Sequence, residues 1–403
     1  MIKELTMEKT SLPIGWELKT IADVTKIVAG GTPKTGIKEY WDGDIAWITP
    51  ADLGKLKKRE VFLTRRTITD FGLQKSSAKL FPENSVILSS RAPIGHLAIN
   101  TVPMATNQGC RGIVPKEDLD TVFLYYFLKG NIALLNDLGT GATFKELSTK
   151  ALGSVSFPLP PLPQQQKIVA ILDKAFAAID TAKANAEQNL KNAKELFESY
   201  LQNVFENKGD DWVSSELNEF VNFIDYRGRT PVKTSSGVRL ITAKNIKLGY
   251  LQVKPEEFIA EDNYESWMTR GIPNFGDVIF TTEAPLGHIA QVNTKEKLAF
   301  AQRVIVMQPD AKKINQTFLK YLLLSNPIRN KILAQGTGAT VLGIKSRLLK
   351  KIEIDFPNSI EEQKEIVIKL DVLSVESKKL GAIYKQKIAD LEEMKKSVLQ
   401  KAF

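Results

Sequence analysis

Arg91-Ala92-Pro93-Ile94-Gly95-His96 in the first half of the chain is answered by Glu283-Ala284-Pro285-Leu286-Gly287-His288 in the second. Working outward, Gly139-Thr140-Gly141-Ala142-Thr143 returns letter for letter as Gly336-Thr337-Gly338-Ala339-Thr340, and Gln166-Lys167 returns as Gln363-Lys364. Each echo lies about 200 residues downstream of its original, whereas solenoid repeats have periods of roughly 20–50 residues. The repeating unit is therefore a whole domain with an appendage. The chain of 403 residues reads as a tandem duplication whose copies have diverged unevenly.

Hydrophobic residues make up 43% and charged residues 25%, ordinary values for a globular protein. The formal charge of +9 leans toward a polyanionic partner. A single cysteine, Cys110, allows no intrachain disulfide and fits a reducing compartment. With two histidines in all, it also excludes a structural zinc site of the usual Cys/His kind. The N-terminal stretch from Met1 to Lys9 has no apolar core of signal-peptide length. No apolar run reaches the ~18 residues of a membrane span, so a cytoplasmic protein without membrane contact is expected.

Each copy divides into a mixed globular part and a long helical part. In the first, strand-like segments such as Ile45-Ala46-Trp47-Ile48 and Ser85-Val86-Ile87-Leu88 alternate with turns at Gly30-Gly31-Thr32-Pro33 and Phe81-Pro82-Glu83-Asn84. One helix is expected from about Leu119 to Asn136, matched in the second copy around Phe318, Leu319, Leu322 and Leu323. Phe157-Pro158-Leu159-Pro160-Pro161-Leu162-Pro163 then reads as a stiff extended connector, because proline suits neither a helix interior nor a central strand.

From Gln164 to about Asn207 neither proline nor glycine occurs. Ile168, Leu172, Ala175, Ile179, Ala182, Ala186, Ala193, Leu196, Tyr200 and Val204 form an apolar stripe at helical spacing. Some 43 residues rising ~1.5 Å each make a rod of roughly 65 Å. Glu361 to Phe403 repeats the pattern through Ile366, Leu370, Leu373, Leu380, Ile383, Ile388, Leu391, Met394 and Val398. Neither stripe can be buried alone, and the economical solution is that the rods pair as a coiled coil. The expected fold is α+β: two tandem α+β domains separated by two long helices packing as an antiparallel coiled coil, with pseudo-twofold symmetry. The segments are 1–158 (first globular domain), 159–208 (central helical spacer), 209–357 (second globular domain) and 358–403 (C-terminal helical spacer). Two separated heads suit a target with two half-sites, as dimeric DNA binders do.

Gly338-Ala339-Thr340-Val341-Leu342-Gly343-Ile344-Lys345-Ser346 fails the phosphate-loop pattern, because Ile344 intrudes before the lysine. Two readings stay open for this glycine turn: one in which Lys145 or Lys345 touches a DNA phosphate, and a plain turn between helix and strand. His96 and His288 share a repeat position without a carboxylate at metal-ligand spacing, which favours a structural role in the Pro-x-Gly-His turn. No nucleophile elbow, metallopeptidase helix or dinucleotide fingerprint is present.

Polar chemistry concentrates where the copies differ. Arg91 faces Glu283, and Asn107-Gln108-Gly109-Cys110-Arg111 faces Ala301-Gln302-Arg303. Lys34 faces the region Arg227-Gly228-Arg229-Thr230-Pro231. These side-chain types read base edges or hold phosphates. Candidate DNA contacts are Lys34, Arg91, Gln108, Arg111 and Lys145 in the first domain, and Arg227, Arg229, Lys244, Arg303 and Lys345 in the second.

The order domain, helix, domain, helix, with junctions Pro160-Pro161-Leu162-Pro163-Gln164-Gln165-Gln166-Lys167-Ile168 and Pro357-Asn358-Ser359-Ile360-Glu361-Glu362-Gln363-Lys364, resembles the specificity subunit of Type I restriction-modification systems. Each domain opens on a tryptophan phrase, Gly15-Trp16-Glu17-Leu18 or Asp211-Trp212-Val213. The resemblance implies a non-catalytic subunit with two target recognition domains, each binding one half of a split double-stranded DNA site. It implies helices that set the gap and dock two modification (methyltransferase) subunits, with motor-nuclease restriction subunits joining for cleavage. No cofactor is expected on this chain; S-adenosylmethionine, ATP and magnesium are expected on the partners. An alternative from another class is a coiled-coil protein–protein adaptor with peptide-binding heads.

Overall fold

The computed structural model describes residues 12–141, 144–226, 230–338 and 340–403. The chain forms two compact units, one running to Ala186 and joined by Gln386–Phe403, the other spanning Glu187–Lys385.

In the first unit a five-stranded sheet has the order Thr25–Ala29, Cys110–Pro115, Val86–Ser89, Leu97–Asn100, Glu60–Val61. Only the last pairing is parallel. A three-stranded sheet sets Trp41–Ile48 between Arg66–Ile68 and Met104–Thr106. The run Val86-Ile87-Leu88 is buried on both faces, which explains its lack of apolar/polar alternation. Phe123, Leu124, Phe127 and Leu128 of the helix Thr121–Gly130 cover the larger sheet. Asp120 starts that helix by accepting the Val122 and Phe123 N–H groups, both at 2.9 Å.

The second unit repeats the plan. Its four-stranded sheet runs Val221–Asp225, Val304–Pro309, Val278–Thr281, Ile289–Gln291, antiparallel throughout. Its three-stranded sheet sets Val238–Ile241 between Phe258–Ile259 and Leu298–Phe300. Asn315 caps Gln316–Leu324 as Asp120 caps its counterpart.

Four details depart from the sequence expectation. The helix expected over Leu119 to Asn136 is two helices, Thr121–Gly130 and Ile132–Asp137, broken at Asn131. The proline-rich stretch, expected as a stiff extended connector, instead belongs to the strand and helix on either side of it. Pro158 lies in the strand Ser156–Leu159, paired only with Glu17–Thr20, and Pro163 occupies the first turn of the next helix, where a missing N–H costs nothing. The long helices cover Leu162–Glu206 and Ile360–Lys401, but their inner stripes slip. Leu196 is 58% exposed, and the inward line runs Ala193, Phe197, Leu201, Phe205 instead, with Phe197 half-buried. Leu380, Ile383 and Met394 likewise lie outside. The repeat register also shifts: Gln165, not Gln166, is the counterpart of Gln363.

Those two glutamines fasten each domain to its helix. Gln165 is fully buried; its Oε1 accepts the Asp120 N–H at 2.8 Å, and its Nε2 donates to the Asp118 and Pro160 carbonyls at 2.8 Å. Gln363 accepts the Asn315 N–H at 2.7 Å and donates to Lys313 and Pro357 at 3.1 and 2.8 Å. A primary amide suits this place because it alone offers an acceptor and two donors without charge.

Within each unit the helix segments run antiparallel. In the first, Lys183 meets Glu392 at 2.7 Å and Asp180 meets Lys395 at 2.6 Å. In the second, the Ser377 hydroxyl donates to the Ala193 carbonyl at 2.6 Å, and Gly381 lies against Leu190. The ends then enter the domain cores. Ser199-Tyr200-Leu201-Gln202-Asn203-Val204-Phe205 parallels Ser397-Val398-Leu399-Gln400-Lys401-Ala402-Phe403. Phe403 packs edge-on to Phe123 and Phe127 in the first unit, and Phe205 packs on Phe318 and Trp212 in the second.

Candidate functional site

The quoted repeat forms the same turn in both units. Ser89 donates its hydroxyl to the Pro93 carbonyl and accepts the His96 N–H at 2.8 Å. Thr281 does the same for Pro285 and His288. His288 Nδ1 lies 3.0 Å from the Ile246 carbonyl, and His96 packs so close to Gly54 that a Cβ there would fall 2.9 Å from Nε2. Both rings buttress a neighbouring turn. Among the described residues no cluster of metal-ligating side chains exists, and no helix is long and apolar enough to cross a membrane.

The buttressed turn is a second repeat, Ile48-Thr49-Pro50-Ala51-Asp52-Leu53 against Ile241-Thr242-Ala243-Lys244-Asn245-Ile246. Asp52 accepts the Thr49 N–H and hydroxyl, and Asn245 does so for Thr242. Lys244 thus stands, exposed, where the first domain has Ala51. The pair is faint in the sequence because only Ile48 and Thr49 recur letter for letter, with Asn245 in place of Asp52.

Beside the turn in the first domain is a recess of about 360 Å³ lined by Pro50, Arg91, Ala92, Asn107, Gly109, Phe144 and Glu146. Glu146 organises it. Its carboxylate meets Arg91 at 3.5 Å and Arg111 at 3.3 Å. Arg111 is 8% exposed, and its guanidinium also donates to the Gln108 and Cys110 carbonyls. Gln108 accepts the Thr32 hydroxyl at 2.5 Å, tying the recess to the Gly30-Gly31-Thr32-Pro33 turn. Burial pushes the neighbouring Cys110 thiol well above the usual range, so it is a packing residue and not a nucleophile.

The second domain has a recess of about 280 Å³ at the same place, lined by Thr282, Glu283, Gln302, Arg303, Thr337, Val341, Gly343, Ile344 and Lys345. Here Glu283 takes the position of Arg91 and pairs with Arg303 at 2.9 Å. Arg303 occupies the place of Gly109: its carbonyl accepts the Thr282 N–H at 2.9 Å, as that of Gly109 accepts the Ser90 N–H at 2.8 Å. Ile305, fully buried, stands where Arg111 does. The frame is kept and the charges are rearranged.

The structure thus brings Arg91, Gln108 and Arg111 together, and Arg303 with Lys345. Lys34 lies apart and exposed, its carbonyl accepting the Trp41 indole N–H at 3.2 Å. Lys145 and Lys345 are not equivalent. Lys345 precedes the helix Ser346–Lys350 where Ser148 precedes Thr149–Gly153, but only Ser148 caps its helix with its side chain, accepting the Ala151 N–H; the Lys145 ammonium turns to the Asn136 carbonyl at 3.3 Å. Arg227 and Arg229 lie outside the described residues. The residues that sequence reasoning left out are Glu146, which holds two arginines, and the exposed Phe144.

The family model for the Type I restriction modification DNA specificity domain matches this chain twice, over residues 13–192 and 209–392. The chain belongs to that family. Among family relatives, the Type I restriction enzyme MjaIX specificity subunit of Methanocaldococcus jannaschii is 37% identical over 252 residues, covering 60% of this chain and 58% of the relative. The fold is shared with a chain from a structure on complex assembly and conformational transition of the type I R-M system (TM-score 0.76, 17% identity, 97% of this chain and 98% of that one). It is shared also with the HsdS subunit from Thermoanaerobacter tengcongensis (TM-score 0.64, 16% identity, 98% and 99%).

Proposed function

We propose that this chain is the sequence-recognition subunit of a Type I restriction-modification complex. Each globular domain reads one half of a bipartite double-stranded DNA site through its recess. The long helices set the gap between half-sites and dock two methyltransferase subunits, and motor-nuclease subunits join for cleavage. In this reading the chain is not catalytic, and S-adenosylmethionine, ATP and magnesium act on the partners.

The observation that carries the proposal is the recurrence of one recess in two domains of the family, with its turns kept and its charged lining exchanged. Two sites built on one frame with different polar groups read two different sequences. Arg91, Gln108, Arg111, Arg303, Lys345 and Lys244 supply base-edge or phosphate contacts at the recesses, and Lys34 and Lys145 add phosphate contacts outside them. Arg227 and Arg229 are assigned to the second domain's interface from sequence. The adaptor reading has no comparable support.

Selection of bound duplexes from a random library, with the methyltransferase partner present, tests the proposal. Two unequal half-sites at a fixed gap are expected. Stable complexes without any enriched sequence would overturn it. Arg91→Ala is expected to cost about 1–3 kcal/mol and to relax one half-site only. A uniform loss over all sequences would instead make Arg91 a phosphate contact.

A further inference from the structure

The first-domain recess has a division of chemistry that specifies a base pair. One wall is apolar: Pro50, Ala92 and the Phe144 ring, which is 72% exposed. This ring offers apolar surface that a partner could cover. Glu146 supplies an acceptor held by Arg91 and Arg111. Asn107 commits its Oδ1 to the Gly109 N–H at 3.0 Å, which leaves its Nδ2 as a donor. On neighbouring residues three buried polar atoms have no protein partner among the described residues: Ser90 Oγ next to Arg91, Thr106 Oγ1 next to Asn107, and Arg111 Nε.

In the major groove an A·T pair presents the N7 acceptor, the N6 amine donor, the O4 acceptor and the thymine methyl. An apolar wall, a fixed carboxylate and a side-chain amide complement that set. The cytosine amine of a G·C pair would also donate to Glu146, but a G·C pair has no methyl for the apolar lining, so the methyl carries the discrimination. We propose that this recess reads an A·T pair, with Phe144 packed against the thymine 5-methyl and Glu146 accepting from the adenine amine. The assignment rests on the DNA-recognition reading above. The second domain has Val341 and the Glu283–Arg303 pair at this place, so the preference belongs to one half-site.

The test uses the complex of this chain with its methyltransferase partners on its selected duplex. Each thymine is replaced singly by deoxyuridine, which removes only the methyl. One replacement, in the half-site that Arg91→Ala relaxes, is expected to weaken binding about fourfold, the equivalent of one buried methyl. Phe144→Ala should weaken binding to the thymine duplex by a similar factor and show no further loss with deoxyuridine. Phe144→Leu should retain the thymine preference, and because the ring is exposed both variants should melt as the parent does. Full thymine preference in Phe144→Ala, or no thymine in that half-site, would overturn the assignment while leaving DNA recognition intact. Failure to enrich any sequence would overturn both.

Discussion

Arg303 sits at φ 75°, in the left-handed region, where a branched-out side chain costs roughly 1–2 kcal/mol against its ordinary conformation. Its ion pair with Glu283 is half-exposed and offsets at most about 1 kcal/mol. Arg303→Gly is therefore expected to melt within about 0.5 kcal/mol of the parent while losing discrimination in the second half-site. Thermal unfolding and half-site binding, measured together, check this. A carboxylate elsewhere has the opposite problem. Burial and the neighbouring Asp211 hold the Glu362 carboxyl above its usual range, while a hydrogen bond from Trp212 works against them. A carboxyl raised on folding contributes stability in acid and loses it as pH rises through the folded value. The first junction avoids the problem with Gln164, which accepts the Trp16 indole N–H at 2.9 Å. Glu362→Gln should thus raise the melting temperature near neutral pH and flatten its pH dependence just above the usual carboxylate range; an unchanged profile would exclude the Asp211 repulsion.

At the scale of elements, the buried glutamines and the helix ends carry more than their numbers suggest. Gln165→Ala leaves the Asp120 N–H and two carbonyls unpaired inside the protein, each worth about 1–3 kcal/mol. The expected loss is concentrated in the first unit, visible as faster amide exchange at residues 118–124; Gln363→Ala should do the same at residues 313–319. Phe205→Ala, at 2% exposure, should cost about 3–5 kcal/mol in denaturant unfolding of the second unit. The long helices were legible because uninterrupted helix formers with an apolar stripe have no other stable arrangement in water. Their inner faces were less so. Ala186, Ala193, Ser377 and Gly381 give the stripe no large residue to mark it, and the close approach they permit decides which neighbouring apolar side chains turn inward. The recess was half legible. Arg91 and Arg303 stand out because they change between copies, whereas Glu146 is seen as the partner of Arg91 and Arg111 only once the chain returns from the helix at Ile132–Asp137 to lie beside them.

At the scale of the whole molecule, under the proposed function the net charge of +9 and the recess cations would give DNA affinity a large counterion-release component. Binding of the complex should weaken steeply with salt, and Lys34→Ala should reduce that slope by about one unit while leaving the preferred sequence unchanged. A change of preferred sequence would instead place Lys34 on a base. The packing of Phe403 between Phe123 and Phe127 has a consequence for synthesis. A chain emerging from the ribosome ordinarily folds its first domain first. Here the second unit is one continuous stretch, whereas the first needs Gln386–Phe403, made about 200 residues after the rest of it. The first unit is thus expected to complete its fold after the second, once Gln386–Phe403 has left the tunnel.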